Sequence, residues 1–262
     1  MKKLCISTGK TLIFFVGFAL LAGMLPIPDS SNGAVWRFWA ELIPFFTIVG
    51  LTLLFWLFEK RKVQLHVASS PLRNCVIGFA TGAIWLGTAT VILISTGTMK
   101  ILEEISIPML WLWILSVFIN TIMQELLVRG YLFQMLKANY NVIVATIITT
   151  ALFTFMHGGA FAAGIVPVLN VLTMSLLMTI VLEYTQSLLA PIMMHFTWNC
   201  FGGIILGGVS LADDYPHLYS TEFTGNVLLS GGALKMEGSI VVLILNIMLI
   251  LGFAFLLKKR HH

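Results

Sequence analysis

Charged residues are scarce in this sequence. They make up 10% of the 262 residues, whereas a soluble domain carries roughly a quarter. Apolar residues make up 58% of the chain, and no soluble fold of this length can bury so much apolar surface in one core. The composition therefore excludes an ordinary water-soluble globular protein, and lipid is the solvent that fits it.

Cysteine is also rare. The three cysteines, Cys5, Cys75 and Cys200, lie in or beside apolar runs. An odd number without regular spacing argues against a disulfide framework and against a Cys-based zinc site, so we interpret them as small apolar fillers. The net charge of +4 does not indicate a nucleic-acid partner, because Lys and Arg lie mainly at the ends of apolar runs.

Long apolar runs fill most of the chain instead. A transmembrane helix needs about 20 mainly apolar residues, and this criterion predicts an all-α, polytopic integral membrane protein with about eight spans. The spans are predicted near residues 11–26, 38–58, 74–97, 107–127, 141–158, 162–182, 188–206 and 238–257. We treat residues 1–262 as a single membrane domain. Residues 207–238 are predicted to form a long, solvated and mobile loop on the outer side, and the alternative is that they line an entrance or form a lid.

The positions of Lys and Arg predict how the chain is inserted. With eight spans and both termini inside, only Arg37, Lys100 and Lys235 of the 15 basic residues fall outside, and the other 12 fall on the cytoplasmic side. The first apolar run follows three lysines and resembles a signal peptide, but no small-x-small cleavage site precedes Pro26. We therefore predict a retained first span and a multi-pass cell-membrane protein with both termini in the cytoplasm.

Three groups of polar residues interrupt the predicted spans. They are Gln124, Glu125 and Arg129 at the end of the fourth span, His157 at the end of the fifth, and His195 and Asn199 inside the seventh. Glu125 and Arg129 are four residues apart, so they share one helix face and can pair. An ionised side chain at mid-bilayer costs about 2.5–3.5 kcal/mol. Residues of this kind therefore need a partner or a wet cavity.

Each group alone has a structural explanation, namely an intrahelical ion pair, an interfacial histidine, or hydrogen bonds between helices. Taken together, they place acid, amide and imidazole groups on three helices. Imidazoles can ligate a metal or move protons near neutral pH, and a neighbouring carboxylate can activate water. The combination indicates hydrolysis within the membrane, and proton or ion transport is the competing use of the same residue types.

The order and spacing of these residues resemble the CPBP intramembrane protease family, also called the Abi or type II CAAX prenyl protease family. The matching segments are Gln124-Glu125 with Arg129-Gly130-Tyr131-Leu132-Phe133, Phe153 with His157, and Glu183 to Leu188 leading to His195 and Asn199. The resemblance covers about residues 105–206, which would form the catalytic core. It implies an eight-helix membrane fold, a cavity that opens toward the membrane, and peptide-bond hydrolysis by water that Glu and His groups activate.

The resemblance also implies a role for each matching residue. His157 would activate or orient the water, His195 and Asn199 would form the oxyanion-stabilising or metal-facing side, and Arg129 would hold Glu125. Family members have been described both as glutamate proteases and as metalloproteases. A zinc ion or another divalent metal at His157 and His195 therefore stays open as a cofactor, beside a mechanism without metal.

Gln124 departs from the family pattern, which has two adjacent glutamates and gives the first one the role of base. An amide cannot accept a proton at neutral pH. Three alternatives follow. Glu125 takes the role despite its pairing with Arg129, the histidines activate water with or without a metal, or the protein is not a protease.

The leading hypothesis is an intramembrane endopeptidase that acts on a peptide or a membrane-protein segment in the lipid bilayer. The alternative is a catalytically silent family member that serves as a membrane scaffold, binding or immunity protein, since bacterial relatives are linked to bacteriocin self-immunity. A small transporter ranks last, because the sequence lacks the internal repeats and paired broken helices that transporters often show.

Overall fold

Helices dominate the computed structural model, which describes residues 2–210 and 214–260, with side chains from residue 6 onward. The α-helices are α1 (Lys2–Met24), α2 (Gly33–Phe58), α3 (Pro71–Ser95), α4 (Leu110–Glu125), α5 (Tyr131–Asn139), α6 (Val142–Met156), α7 (Gly159–Ala163), α8 (Ile165–Thr185), α9 (Leu189–Thr197), α10 (Val227–Ser230) and α11 (Ile240–Arg260). A helix satisfies its own backbone groups, which lipid cannot do. The predicted all-α, polytopic membrane class is confirmed.

Six helical segments in the described part of the chain are long and apolar enough to cross a membrane. They are Ile6–Met24, Gly33–Phe58, Pro71–Ser95, Leu110–Asn139, Ile165–Thr185 and Gly232–Arg260, and each coincides with a predicted span. The predicted fifth span coincides with α6, which has only 15 residues. The seventh coincides with α9 and the π-helix Trp198–Ile205 that continues it. The protein is thus a multi-pass membrane protein, while the cytoplasmic position of both termini stays a prediction.

Two π-helical stretches lie beside the residues that the sequence motifs single out. The first, Leu126–Gly130, continues α4 directly after Glu125, and the second, Trp198–Ile205, continues α9. A π-helical turn inserts an extra residue into the helical ladder and is frequent at functional sites. Arg129 and Asn199 both lie within these widened turns.

The chain divides into two compact units. Unit 1 comprises Met1–Val67 and Met109–Thr149, and unit 2 comprises Ala68–Pro108 and Thr150–His262. Unit 1 therefore contains α1, α2, α4 and α5, while unit 2 contains α3 and all the helices from α7 onward, and α6 runs through the boundary. The treatment of the chain as a single membrane domain stays a prediction.

Unit 1 is built on the packing of α2 against α4, with α1 alongside. The side chain of Asn32 caps α2 by accepting hydrogen bonds from the backbone N–H groups of its first turn. Phe14, Phe55 and Tyr131 form an aromatic cluster with ring centroids 5.1–5.3 Å apart. The Tyr131 hydroxyl donates to Glu59 Oε1 at 3.0 Å. This bond anchors α5, which begins at Tyr131, in unit 1.

Unit 2 contains a very close approach of α3 to α9. A Cβ atom at Gly78 would lie 2.2 Å from the carbonyl oxygen of Ala190, and one at Gly82 would lie 2.8 Å from the Cβ atom of Thr197. Small residues of this kind let membrane helices pack backbone to backbone. Because α9 carries His195, this contact fixes the height and rotation of that histidine within unit 2.

The segment after the second π-helix is partly structured, so the prediction of a loop is wrong here. Strand β2 (Tyr219–Phe223) pairs antiparallel with β1 (Met99–Glu104), and Lys100 lies opposite Glu222. Opposite charges across a strand pair stabilise it. Burial and the nearby Lys235 ammonium lower the pKa of His217 below its ordinary value, which favours the neutral imidazole. Asp213 in this segment lies outside the described residues.

The cysteines in unit 2 carry no disulfide. Cys75 and Cys200 are both free thiols, and Cys200 is buried. The side chain of Cys5 lies outside the described part of the chain. A free cysteine behaves as a small apolar side chain and can be buried without a hydrogen-bond partner. This agrees with the interpretation of Cys200 as a filler.

Candidate functional site

Unit 1 holds Glu125 and Arg129 as a buried ion pair. Glu125 is the last residue of α4, and Arg129 lies one π-helical turn further on. Arg129 Nη1 donates to Glu125 Oε2 at 2.9 Å, and both side chains are fully buried. The pair is therefore a fixed feature of the helix rather than a surface contact.

This pairing limits what Glu125 can do as a base. Glu125 Oε2 already accepts from the Arg129 guanidinium, and a charge-assisted hydrogen bond of this kind holds the carboxylate in place. Removing one partner would strand the other charge in the interior, which is far less favourable than the intact pair. The geometry suits a structural role for the pair at the end of α4.

Gln124 lies on a different hydrogen-bond chain in the same unit. Arg37 Nη1 donates to Glu41 Oε1 at 3.0 Å, Asn120 Nδ2 donates to Glu41 Oε2 at 2.7 Å, and Gln124 Nε2 donates to Asn120 Oδ1 at 2.6 Å. The Glu41 carboxylate thus orients the Asn120 amide, and the Asn120 oxygen orients the Gln124 amide. The orientation of Gln124 is thereby set by Glu41, a buried carboxylate of α2.

The consequence for Gln124 is that its nitrogen is engaged and its oxygen is available. Gln124 Oε1 is buried and has no hydrogen-bond partner among the described residues. An amide oxygen can accept a hydrogen bond from a water molecule or a peptide N–H, although it cannot take the proton. Gln124 can thus orient a hydrogen-bond donor but cannot act as a base.

Glu41 was missed by the sequence analysis, although the sequence contains a signal for it. It is a lone acid in the apolar run of α2, four residues after Arg37. The same (i, i+4) rule that relates Glu125 to Arg129 relates this pair. The link to Gln124 could not be found in this way, because it depends on contact between α2 and α4.

Unit 2 gathers His157 and His195 around the ring of Phe153. The Phe153 ring lies 4.3 Å from the His157 ring and 6.1 Å from the His195 ring, measured between centroids. Phe153 and His195 are buried, while His157 is half-buried just beyond the end of α6. Residues from two separate helices thus meet at one aromatic side chain.

The backbone of α6 sets the protonation pattern of His157. Its Nδ1 lies 2.8 Å from the carbonyl oxygen of Phe153. A carbonyl oxygen only accepts, so in the neutral ring Nδ1 carries the hydrogen and Nε2 carries the lone pair. A histidine held in this way is suited to act as a general base or a metal ligand through Nε2.

Asn199 lies one turn beyond His195, in the second π-helix, and is buried. Its amide N–H groups can donate to a developing oxyanion, which is the chemistry that the resemblance implies for this position. Trp198, the residue before it, stacks on Trp85 of α3 with ring centroids 3.9 Å apart. The stacking holds the first turn of the π-helix in place.

The resemblance leaves a metal ion at His157 and His195 open, and such an ion needs enough side-chain ligands. Across residues 2–210 and 214–260, no three or more His, Cys, Asp or Glu side chains form a group that could hold a metal ion. Catalytic zinc sites normally supply three protein ligands, and His157 with His195 supplies two. The described residues do not fit a metal centre, and we derive no step through one.

One of three comparisons with known proteins gives a match. Residues 106–201 match the family model described as type II CAAX prenyl endopeptidase Rce1-like. No curated protein and no solved structure matches the chain. The matched segment covers less than half of the chain, contains every site residue predicted above, and confirms the family resemblance seen in the motifs. The matched family is a membrane protease family.

Proposed function

We propose that this chain, whose residues 106–201 match the Rce1-like family, is a membrane-embedded endopeptidase that hydrolyses a peptide bond in a peptide or membrane-protein substrate. The observation that carries the proposal is the meeting of His157 and His195 at Phe153. The Nδ1 contact of His157 with a backbone carbonyl supports a base at Nε2. Hydrolysis by water needs such a base.

In the proposed reaction, His157 takes a proton from water while the resulting hydroxide adds to the scissile carbonyl carbon. The proton then passes to the leaving amine, so that an amine and a carboxylate form as products without a covalent intermediate on the protein. His195 and Asn199 donate to the oxyanion that develops on the carbonyl oxygen. Removal of one such donor typically lowers kcat by about 10²–10³.

We assign supporting roles to the unit 1 residues. Glu125 and Arg129 hold the end of α4 through their buried pair. Gln124 offers an oriented oxygen acceptor, which suits the positioning of a donor group. A base at position 124 is absent, so the proposal places proton transfer on His157 alone.

Gln124 favours one competing function, that of a catalytically silent membrane scaffold or immunity protein. In this reading the polar groups stabilise the helices and bind a partner without turnover. The competing functions differ in one respect that an experiment can read, namely whether peptide bonds are broken in a way that depends on His157 and His195.

The test uses the full-length protein purified in detergent and reconstituted in liposomes. Two internally quenched CAAX peptides serve as substrates, one farnesylated and the other not, because the family description names prenyl substrates. Host membranes with and without the protein are compared in parallel for new peptide termini. Wild type is measured beside His157→Ala, His195→Ala, Asn199→Ala and Glu125→Gln, each checked for membrane insertion and monodispersity.

We expect wild type to cleave, the two histidine variants to lose at least about 10²-fold in rate, and Glu125→Gln to lose less than either. Cleavage by both histidine variants at the wild-type rate would refute the assignment. No new termini and no peptide cleavage in wild type would favour the scaffold. Loss of wild-type activity with a chelator, and its recovery with zinc, would move the mechanism to a metalloprotease.

A further inference from the structure

A small cavity lies inside unit 2, away from the Phe153 cluster in sequence and built from other residues. Its polar lining comes from Trp85 of α3, Asn170 of α8, Trp198 of the second π-helix, Asn246 of α11 and Glu237 just before α11. Its volume is about 10 Å³, counted as the space open to the centre of a water-sized sphere. A cavity needs at least about 10–15 Å³ by that measure to hold one water molecule.

The polar side chains that line this cavity are deeply buried and incompletely paired. Trp85, Trp198, Asn170 and Asn246 are each 0–3% exposed. Four of their atoms, the two indole Nε1 atoms and the two amide Oδ1 atoms, have no hydrogen-bond partner in the described part of the protein. An unsatisfied buried donor or acceptor destabilises a fold by about 1–3 kcal/mol. Four at one cavity point to a ligand.

The orientation of the two amides is fixed by other contacts. Asn170 Nδ2 donates to the backbone oxygens of Glu237 and Ser239 at 2.8 and 2.9 Å. Asn246 Nδ2 donates to the Asn170 carbonyl at 3.3 Å and to Thr173 Oγ1 at 2.9 Å. Because the nitrogens are engaged elsewhere, the two oxygens are the atoms left to accept hydrogen bonds.

The unpaired atoms thus comprise two N–H donors and two oxygen acceptors. A water molecule accepts two hydrogen bonds and donates two, and buried waters typically make about three. A metal cation would satisfy the oxygens but would be repelled by the indole N–H groups. We propose that this cavity binds one ordered water molecule, which accepts from Trp85 and Trp198 and donates to Asn170 and Asn246.

Glu237 adds a carboxyl group to the lining of the cavity. Its Oε2 accepts from the backbone N–H of Ser210 at 3.3 Å. Its carboxyl group also lies near the Trp198 indole, but the indole Nε1 does not reach it with good hydrogen-bond geometry. The bound water therefore joins four helical segments that direct contacts leave incompletely linked. Bridging waters replace a direct hydrogen bond with little loss of enthalpy.

The water also reaches the proposed catalytic helix, because Trp198 directly precedes Asn199. We assign it the role of fixing that helix against α3, α8 and α11. This site does not depend on the proposed proteolysis, since a scaffold protein with the same fold would bind the same water.

The first experiment is X-ray radiolytic footprinting of the full-length protein in nanodiscs, where radicals formed from bound water oxidise adjacent side chains. Met174 lines the cavity, and Met178, one turn later on α8, is buried away from it. We expect Trp85, Trp198 and Met174 to be oxidised several-fold faster than Met178. Equal, slow oxidation of all four residues would overturn the proposal.

The second experiment replaces Trp85 by 3-benzothienylalanine through amber suppression, which keeps the ring shape and removes the N–H. If the N–H donates to bound water, the variant has a lower Tm than wild type. If the N–H is unsatisfied, removing it raises the Tm, and that result would overturn the proposal. Stabilisation of wild type by sodium chloride over choline chloride would also overturn it, in favour of a cation.

Discussion

The two units hold their polar groups in different ways. In unit 1, Glu125 and Arg129 form a buried ion pair, and a second pair, Glu41 with Arg37, controls Asn120 and Gln124. In unit 2, the contact of Nδ1 with a backbone carbonyl orients His157, and the Phe153 ring contacts both His157 and His195. Ion pairs therefore orient the polar side chains of unit 1, whereas a backbone carbonyl and an aromatic ring contact the histidines of unit 2.

This difference bears on the chemistry. Charged groups at membrane depth stay charged only when they are paired, and pairing makes them poor at exchanging protons. A neutral imidazole can accept a proton through the lone pair on one ring nitrogen, and the Nδ1 contact of His157 leaves that role to Nε2. This difference agrees with the proposal that His157 is the base and that the Glu125–Arg129 pair is structural.

The largest effect is expected from Arg129→Met. It leaves Glu125 buried without its counter-ion, and breaking a buried pair in this way typically costs about 3–5 kcal/mol. Glu125→Gln combined with Arg129→Met removes both charges and should recover much of the loss. The free energy of unfolding would be measured by chemical denaturation of detergent-purified protein.

Arg37→Met is the matched control for this prediction, because the Arg37–Glu41 pair has the same spacing but is partly exposed. It should lose clearly less stability than Arg129→Met. If the losses in unfolding free energy of the Glu125 and Arg129 single variants add up to that of the double variant, the two side chains are not coupled. The contrast drawn between the two units would then be wrong.

A smaller effect is expected from Gly78→Ala, which probes the packing that organises unit 2. The added Cβ would lie 2.2 Å from the Ala190 carbonyl oxygen, whereas a Cβ at Gly87 of the same helix meets nothing within 4 Å. Overpacking of this kind costs about 1–3 kcal/mol. Because α9 carries His195, peptide cleavage should fall as well.

Gly87→Ala controls for the gain in helix propensity, which favours Ala over Gly by about 1 kcal/mol in a helix interior. It should be neutral or slightly stabilising. Equal unfolding midpoints for the two alanine variants would show that α3 and α9 do not approach as closely as the structure has them.

The helices were largely predictable from the sequence, because a long apolar run in lipid must form a helix to satisfy its backbone groups. The structure differs from the prediction where the sequence has no long apolar run or where such a run ends. Strand β2 was missed because its sequence, Tyr219 to Phe223, is short and polar, and it forms only by pairing with β1. The predicted fifth span, residues 141–158, extends past both ends of α6, which begins at Val142 and ends at Met156.

The candidate site was predictable only within single helices. The Glu125–Arg129 pair follows from their spacing, and the sequence predicts it. The role of Phe153 as the shared neighbour of two histidines, and the control of Gln124 by Glu41, depend on contacts between helices distant in sequence. The unpaired amide oxygens of Asn170 and Asn246 could not be predicted for the same reason, since a lone amide in an apolar run has many possible partners.

The smallest effect concerns the direction of the hydrogen-bond chain that ends at Gln124. In the native chain Glu41 accepts from Asn120, and Asn120 accepts from Gln124. Gln124→Glu replaces a donor with an acceptor, so Asn120 would face acceptors on both sides. Gln124 is half-buried, so the loss should be near the lower end of the range for an unsatisfied group, about 1 kcal/mol.

Glu41→Gln should rescue Gln124→Glu. The new amide at position 41 can donate to Asn120 Oδ1, and Asn120 can then donate to the carboxylate at position 124, which reverses the chain without breaking it. Glu41→Leu offers no donor and serves as the control. A double-mutant cycle on the free energy of unfolding measures the coupling, and a cycle with no coupling would contradict the chain. If the rescued protein also cleaves peptide faster than wild type, the carboxylate at position 124 serves as a base.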